Sequence, residues 1–425
     1  MPALRSGLVY AMANLGSAGI PFLLIPVLTR ALSPAQYGEV VSYYMLIAVT
    51  ACIAGLSVQS SVGVRWMNPA KGDPRSYTSA ALVLTFATSM LAMFLAAIGA
   101  PLFGIQLSAL ACAMAALTAG TTVIQGTRFV TWQVQHRALP AAALQVGSAA
   151  LNLGLSLLAV FVFAWGGMGR IAGVTVAGAV VAIFSVASLA RERALKAPHR
   201  SDYRTLARFG IPLVPHVLAG ALLANADRFA VASQLGSAAL GIYGTATQLG
   251  QVIAVTADAA LKTYTPTLYR MLSNGSIRSK LRVVAIAYLS IPAWITIALL
   301  LWSLLLLAGG VVLGPRYQQA GQLAIWFLLG GAVNAIYMNV AGLFFFTAKT
   351  EWLSLSTVTT ALLSFVLASH AVRAFGINGG GATYLGAQLT LLAMAFCLSL
   401  FTFPMPWRHP RLAMRVLFRQ RRSQA

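Results

Sequence analysis

The sequence predicts an all-α integral membrane protein with about twelve transmembrane helices. Of its 425 residues, 59% are hydrophobic and only 8% are charged, and the mean hydropathy is +0.80. Soluble domains carry about 25% charged residues, so this composition excludes an ordinary soluble protein. The apolar residues also form runs of about 20, the length that an α-helix needs to span a bilayer.

Twelve long apolar segments follow one another along the chain. The first, 7–29, begins just after Arg5 and is too long for the apolar core of a secretory signal, so we expect it to be the first membrane helix. The segments centre near Gly19, Ala51, Thr88, Leu117, Leu153, Val180, Ala221, Val252, Thr296, Gly331, Leu362 and Leu391.

Lysine and arginine residues fall mainly in alternate loops. The other loops carry only Arg30, Arg170, Arg316 and Arg373. Short cytoplasmic loops retain basic residues, so we expect the basic loops and both termini to face the cytoplasm. These residues attract anionic membrane lipids by about 1 kcal/mol each, and some are candidates to hold an anionic substrate headgroup. They do not form a basic patch with interleaved aromatic residues, so the net charge of +22 does not predict nucleic-acid binding.

The most basic connection divides the chain into two halves. We expect an N-terminal six-helix bundle, a basic cytoplasmic linker, a C-terminal six-helix bundle and a basic cytoplasmic tail, at 1–190, 191–208, 209–403 and 404–425. Each half crosses the membrane six times, which makes the repeat parallel. Transporters built from such repeats place their substrate between them, near the bilayer midplane.

Two short motifs support the repeat. The segment 32–38 leads into the second predicted helix, as 235–241 leads into the eighth at the same spacing. The segment 166–169 before the sixth helix likewise matches 376–379 before the twelfth.

Two adjacent charges lie inside the seventh predicted helix. Asp227 and Arg228 interrupt the apolar run 209–236, and an ionisable residue in a membrane helix costs roughly 2.5–3.5 kcal/mol on insertion scales. In one interpretation, Arg228 holds an anionic group in a cavity and Asp227 is its counter-ion or a cation site. In the other, the two form a structural pair, or their side chains reach the outer interface.

Other polar side chains in the membrane segments are candidate cavity residues. We expect Asn14, Gln248, Gln251 and Asn339 to join Arg228 and Asp227 in binding substrate, although interhelical hydrogen bonds explain the amides equally well. His216 shares a helix face with Asp227 and is a possible proton site. Its alternative role is to satisfy the first helical turn, which Pro212 and Pro215 break.

The polar stripe of the eighth helix continues towards the cytoplasm. There Asp258 and Lys262 are four residues apart, a spacing that favours an ion pair along one helix face.

The motifs of catalysis are missing from the sequence. Its seven acidic residues form no plausible catalytic pair, and it contains neither HExxH nor a phosphate-binding Gly-x4-Gly-Lys-Ser/Thr loop. The three cysteines have no disulfide or metal spacing. We therefore expect no enzyme activity, metal or cofactor. A membrane-bound glycan polymerase or ligase would need a large external loop, and the longest one, 314–321, is short.

Several segments resemble the polysaccharide-exporter branch of the multidrug/oligosaccharidyl-lipid/polysaccharide (MOP) flippases. They span nearly the whole chain, at 29–38, 209–212, 226–229, 240–243 and 375–379. The resemblance implies a bacterial inner-membrane protein that moves undecaprenyl-pyrophosphate-linked oligosaccharides by alternating access, for O-antigen, capsule or exopolysaccharide assembly. It also implies association with the polysaccharide polymerase and chain-length proteins.

A cation-coupled exporter of small drugs on the same scaffold is the alternative. The first helix carries Asn14 as its polar residue and lacks the acidic residues of the drug-exporting branch. This difference leaves open whether transport is coupled to an ion.

Overall fold

The computed structural model describes residues 2–102 and 104–421, and these residues form helices and turns with no β-strand. Thirteen α-helices follow one another in this part of the chain. They are α1 (Pro2–Ala31), α2 (Pro34–Thr50), α3 (Val58–Met67), α4 (Pro74–Leu102), α5 (Ala109–Val134), α6 (Ala138–Leu157), α7 (Gly166–Arg191), α8 (Arg200–Gly210), α9 (Val214–Ser273), α10 (Ile277–Val312), α11 (Gln318–Phe346), α12 (Glu351–Thr402) and α13 (Pro410–Arg421).

The described residues contain nine helical stretches that are long and apolar enough to span a membrane. Two of these stretches hold two helices of membrane-spanning length each, because α9 breaks at Gly236 and α12 breaks at Gly376. A further crossing combines α2 with α3 across the turn at 51–57. The described residues therefore supply twelve crossings, and the predicted all-α membrane fold is confirmed. Arg422, at the end of the predicted basic tail, lies outside the described residues.

The repeated motifs lie at helix starts in the structure. Ser33 caps α2 through a reciprocal pair of hydrogen bonds with Gln36, and its counterpart Ser237 directly follows the break at Gly236. Gly166, the first residue of α7, and Gly376 within α12 both have a positive φ, of 56° and 59°. Glycine adopts this conformation without steric cost, so these positions redirect the chain between two helices.

The chain groups into two compact units. Unit 1 comprises Met1–Gly244 and Leu313–Arg316, and unit 2 comprises Thr245–Val312 and Tyr317–Ala425. The first part of α9 therefore groups with the preceding helices, whereas the sequence places the start of the second bundle at residue 209. The division into six and six helices stays a prediction.

Close packing within unit 1 explains why the start of the eighth crossing groups there. A Cβ added at Gly241 would overlap the backbone carbonyl of Pro34, and one added at Gly38 would overlap that of Ser237. Glycine at these positions lets α2 and the α9 segment after Gly236 approach backbone to backbone.

The predicted linker is a docked structure in unit 1. Residues 200–210 form α8, and Leu206 is completely buried in a cluster with α3 and α4 side chains. Ser76 donates a hydrogen bond to Asp202, which also accepts one from the His199 backbone N–H at 3.2 Å. Lys196 pairs with Asp73 at 3.2 Å. Both ends of the segment are therefore held on α4 and the loop before it.

A carboxylate links the C-terminal ends of α5 and α7. Arg128 is fully buried and lies 3.8 Å from the centroid of the Trp132 ring, and its Nη2 is 2.8 Å from Oε1 of Glu192. Arg137 donates to the same oxygen at 2.7 Å. Burial raises the pKa of Glu192, but the two arginines outweigh burial and hold that pKa below its ordinary value of 4.5.

We expect Gly241→Ala to destabilise the protein by about 1–3 kcal/mol, because the added methyl group meets backbone atoms that cannot move aside cheaply. Gly220→Ala is the matched control, since it also lies in α9 and its added Cβ meets nothing within 4 Å. That variant should be neutral or more stable by up to about 1 kcal/mol. Thermal unfolding in detergent measures both changes, and equal melting temperatures would contradict the close contact with Pro34.

We expect Glu192→Gln to lower the melting temperature at pH 7, because it leaves the buried Arg128 without its counter-ion, a loss of about 3 kcal/mol or more. Since the folded pKa of Glu192 lies below 4.5, its stabilisation is complete above about pH 5 and disappears as the pH falls through the folded value.

Wild type and Glu192→Gln should therefore converge in melting temperature as the pH is lowered towards 4 and below. Glu351→Gln is the control, because Glu351 is exposed and forms no ion pair within the described residues. If the difference in melting temperature between wild type and Glu192→Gln did not change with pH, Glu192 would not stabilise the protein through its charge.

Candidate functional site

Asp227 forms a buried polar contact within unit 1. It is 4% exposed, and its Oδ2 accepts a hydrogen bond of 2.5 Å from the hydroxyl of the fully buried Tyr243. Sixteen residues separate the two, which is about 24 Å along an uninterrupted helix. The break at Gly236 turns the chain back and brings them together.

Arg228 points to a different partner. Its Nη1 donates to Oδ1 of Asn225 at 3.0 Å, and its buried Nε has no hydrogen-bond partner. Within the described residues, no carboxylate lies within 4.0 Å of its guanidinium group. Asp227 and Arg228 therefore do not form the direct ion pair of the structural interpretation, and each has a neutral partner. Their roles in binding stay predictions.

Arg170 is a candidate that sequence reasoning missed. It is 7% exposed, and its guanidinium group donates to Asn152 and Ser156 of α6 and to the Tyr44 hydroxyl of α2, the last at 2.9 Å. In the described part of the chain, no carboxylate lies within ion-pair distance of it. By its position in the sequence, Arg170 falls in the set of loops that carry few basic residues. The available signal was its place four residues after Gly166, inside the first turns of a membrane helix.

Hydroxyl groups hold the neighbourhood of Arg170 together. The fully buried Tyr43 bonds to Thr118 of α5 at 2.6 Å and to Thr175 of α7 at 2.8 Å. Tyr43 precedes Tyr44 on α2, and their ring centroids are 5.6 Å apart in an edge-to-face arrangement. This three-helix contact orients the α2 segment that presents the Tyr44 hydroxyl to Arg170.

The other predicted site residues of unit 1 are exposed. Asn14 on α1 accepts a hydrogen bond of 2.7 Å from Gln145 of α6, which also donates to Ser17 at 2.8 Å. His216 lies on the surface of α9, directly after Pro215. The structure thus places Asn14 in an interhelical amide cluster.

The remaining predicted residues belong to unit 2. Gln248 is partly buried and Gln251 is exposed on the second part of α9, while Asn339 of α11 lies 3.4 Å from the Ser290 hydroxyl of α10. Asp258 and Lys262 form an exposed ion pair of 2.5 Å, which confirms the pairing expected from their spacing.

Unit 1 contains two arginine side chains within its helices that are not paired with a carboxylate of the described residues. Arg170 and Arg228 lie within the helices and have neutral hydrogen-bond acceptors. An anionic ligand would form stronger, charge-assisted hydrogen bonds with the same guanidinium groups. No group of three or more His, Cys, Asp or Glu side chains that could hold a metal occurs in the part of the chain described.

Comparison with known proteins gives three kinds of match. A family model described as "Polysaccharide biosynthesis protein" matches residues 3–272. An "Uncharacterized membrane protein" of Haemophilus influenzae is 23% identical over 381 residues, which cover 85% of this chain and 89% of that protein.

Two solved structures share the fold. One is the lipid II flippase MurJ in an inward closed conformation, with a TM-score of 0.73 and 11% identity over 98% of this chain and 91% of that one. The other is a multidrug resistance MATE family transporter of the MOP superfamily in an inward-facing conformation, with a TM-score of 0.69 and 14% identity over 92% of this chain and 97% of that one.

We expect the hydrogen bond between Tyr243 and Asp227 to appear as a coupling energy. Tyr243→Phe should cost about 1–3 kcal/mol, because it leaves a buried carboxylate without this donor. Combined with Asp227→Asn, it should cost less than the sum of the two single changes, by about 1 kcal/mol or more.

Unfolding of the single and double variants in detergent measures that coupling. Tyr337→Phe, which alters a buried tyrosine of unit 2, is the control and should be additive with Asp227→Asn. If the effects of Tyr243→Phe and Asp227→Asn on the free energy of unfolding were additive, the side chains of Tyr243 and Asp227 would not stabilise each other.

Proposed function

The chain belongs to the polysaccharide biosynthesis protein family, and from this membership we propose that it moves polyprenyl-pyrophosphate-linked oligosaccharides across the bacterial inner membrane. It is a multi-pass membrane protein with the fold of MOP flippases and transporters. The proposal adds the substrate class and the transported direction, from the cytoplasmic to the outer face, for O-antigen, capsule or exopolysaccharide assembly.

The observation that carries the proposal is the pair of arginines without a carboxylate partner in unit 1. Placing an arginine in a membrane segment costs roughly 2.5–3.5 kcal/mol, and Arg170 and Arg228 meet only neutral acceptors there. A pyrophosphate would supply the missing negative charge. The planar guanidinium group also matches phosphate oxygens in geometry, because it can donate two parallel hydrogen bonds.

The sugar part of such a substrate needs groups that both donate and accept hydrogen bonds. The side-chain amides of Asn14, Gln248, Gln251 and Asn339 have this capacity. We propose that these amides contact sugar hydroxyls, each within its own unit, and that Arg228 and Arg170 of unit 1 hold the pyrophosphate. The polyprenyl chain stays in lipid. Asp227, which bonds to Tyr243 and does not pair with Arg228, is with His216 the candidate proton or cation site.

Alternating access moves the bound headgroup, and no covalent bond changes. The membrane potential contributes about 2.3 kcal/mol per charge per 100 mV. Because the cell interior is negative, this potential favours outward movement of an anionic headgroup. A polysaccharide polymerase and chain-length proteins would then use the oligosaccharide outside, and they are the partners that this function implies.

A cation-coupled exporter of small drugs is the second candidate, and the buried Asp227 favours it. Carboxylates inside membrane segments mark ion pathways and proton relays, and a cation-coupled exporter needs such a group. Extrusion of cationic dyes from vesicles, with no movement of lipid-linked oligosaccharide, would support this function over the first.

We expect Arg170→Gln and Arg228→Gln each to reduce transport at least about tenfold, because each removes a charge-assisted hydrogen bond worth roughly 1.5–3 kcal/mol. The assay follows a fluorescent lipid-linked oligosaccharide in vesicles that contain the purified protein, and scores its exposure on the opposite face. Arg373→Gln is the matched control, because Arg373 is an exposed arginine in the outer part of α12. Normal transport by both variants at normal protein abundance would contradict the proposed site.

A further inference from the structure

The C-terminal helix α13 begins at a cavity lined by basic side chains. Arg408, Arg411 and Arg415 line it together with His409 and Leu412, and its volume is about 450 Å³. All five residues are exposed. We propose that this cavity binds the phosphate headgroup of an anionic phospholipid in the cytoplasmic leaflet.

Charge alone makes the cavity a strong anion site. Arg411 and Arg415 are four residues apart on α13, which places them on one side of the helix. Arg408 lies in the turn before α13 and lines the same cavity. None of them is within 4.0 Å of a carboxylate in the described residues. The chain contains no Asp or Glu after Glu351, so the neighbouring sequence supplies no counter-ion either.

The start of α13 adds backbone donors to the same cavity. The helix begins at Pro410, directly after His409, and residues of its first turn line the cavity. The first N–H groups of a helix have no partner within the helix, and the helix dipole places partial positive charge there. The arginine side chains and the helix start therefore favour the same ligand charge.

The apolar side of α13 packs on a core cluster of unit 2 and so fixes the position of the helix that lines the cavity. Ala413 is completely buried, and Met414, Val416 and Leu417 pack on the same core cluster. That cluster includes residues from the cytoplasmic parts of α9 and α10, such as Leu268, Leu272, Leu281 and Val284. The arginines are thus presented by a docked helix, so a ligand does not have to order the backbone when it binds.

The segment that leads into α13 is anchored at the cytoplasmic end of unit 2. The Tyr288 hydroxyl donates to the carbonyl oxygen of Trp407 at 2.9 Å, and Lys280 donates to that of Pro404 at 3.3 Å. Lys280 also lies 4.9 Å from the centroid of the Phe403 ring. Both partners lie near the start of α10, on the side that the basic loops assign to the cytoplasm. The cavity therefore lies at the level of the lipid headgroups.

The lining favours a phospholipid over a soluble anion or a nucleic acid. Leu412 is 49% exposed beside the arginines, which offers an apolar contact to the glycerol and acyl region of a lipid. The lining has no phenylalanine, tyrosine or tryptophan, the residues on which single-stranded nucleic acids stack. This inference is independent of the transported substrate.

The test uses the full-length protein in detergent and counts bound phosphatidylglycerol by native mass spectrometry, with phosphatidylcholine as the neutral comparison. Arg408→Gln/Arg411→Gln/Arg415→Gln should weaken phosphatidylglycerol binding about a hundredfold, since each basic residue near an anionic surface contributes roughly a fivefold factor. Each of the three single substitutions should weaken phosphatidylglycerol binding by part of this factor. The single variants keep the test valid if the triple variant does not fold.

Arg204→Gln/Arg208→Gln/Arg270→Gln is the matched control, because these exposed cytoplasmic arginines lie outside the cavity and remove the same charge. It should retain nearly all binding. Equal loss in both triple variants would overturn the proposal, because it would show diffuse attraction without a site. Unchanged binding in the cavity variants would also overturn it, as would equally tight binding of glycerol 3-phosphate or of a short RNA.

Discussion

The surplus of basic over acidic residues governs the polar interactions of this protein. The sequence contains 29 lysine and arginine residues but only seven aspartate and glutamate residues. Most of the cationic side chains must therefore find another partner or remain in water. Where a carboxylate is available, as for the fully buried Arg128 beside Glu192, it joins two helices. Where none is available, as for Arg170 and Arg228, the arginine is held by neutral oxygen atoms. Arg170 is buried and Arg228 is partly buried, and neither is paired with a carboxylate of the described residues.

The same imbalance leaves arginines without a carboxylate partner in two different surroundings, one within each unit. Inside the helices of unit 1, the cations are held at defined distances from amide and hydroxyl groups, which suits a specific headgroup. At the cytoplasmic end of unit 2, the α13 arginines are exposed on a helix whose apolar face is docked. An anchored surface of this kind suits the abundant lipids of the leaflet. The two sites do not require the same ligand.

Glycine positions allow the helices to turn back and approach closely. The break at Gly236 returns the chain so that Tyr243 reaches Asp227, and Gly38 and Gly241 then let the new helix lie against α2. A larger residue at these contacts would separate the backbones and with them the polar groups near the break. The neighbourhood of Asp227 therefore depends on glycine residues that have no polar side chain of their own.

The sequence by itself determined the membrane class, the twelve crossings, the repeat motifs at helix starts and the ion pair of Asp258 with Lys262. These features depend on local composition and on spacing along one helix, so the linear sequence is enough to predict them. Only the tertiary structure decided that Tyr243 is the partner of Asp227, that Arg170 is buried among neutral groups, and that residues 200–210 and 410–421 form docked helices. Those contacts join segments far apart in the chain, and helical periodicity does not specify which faces of different helices meet.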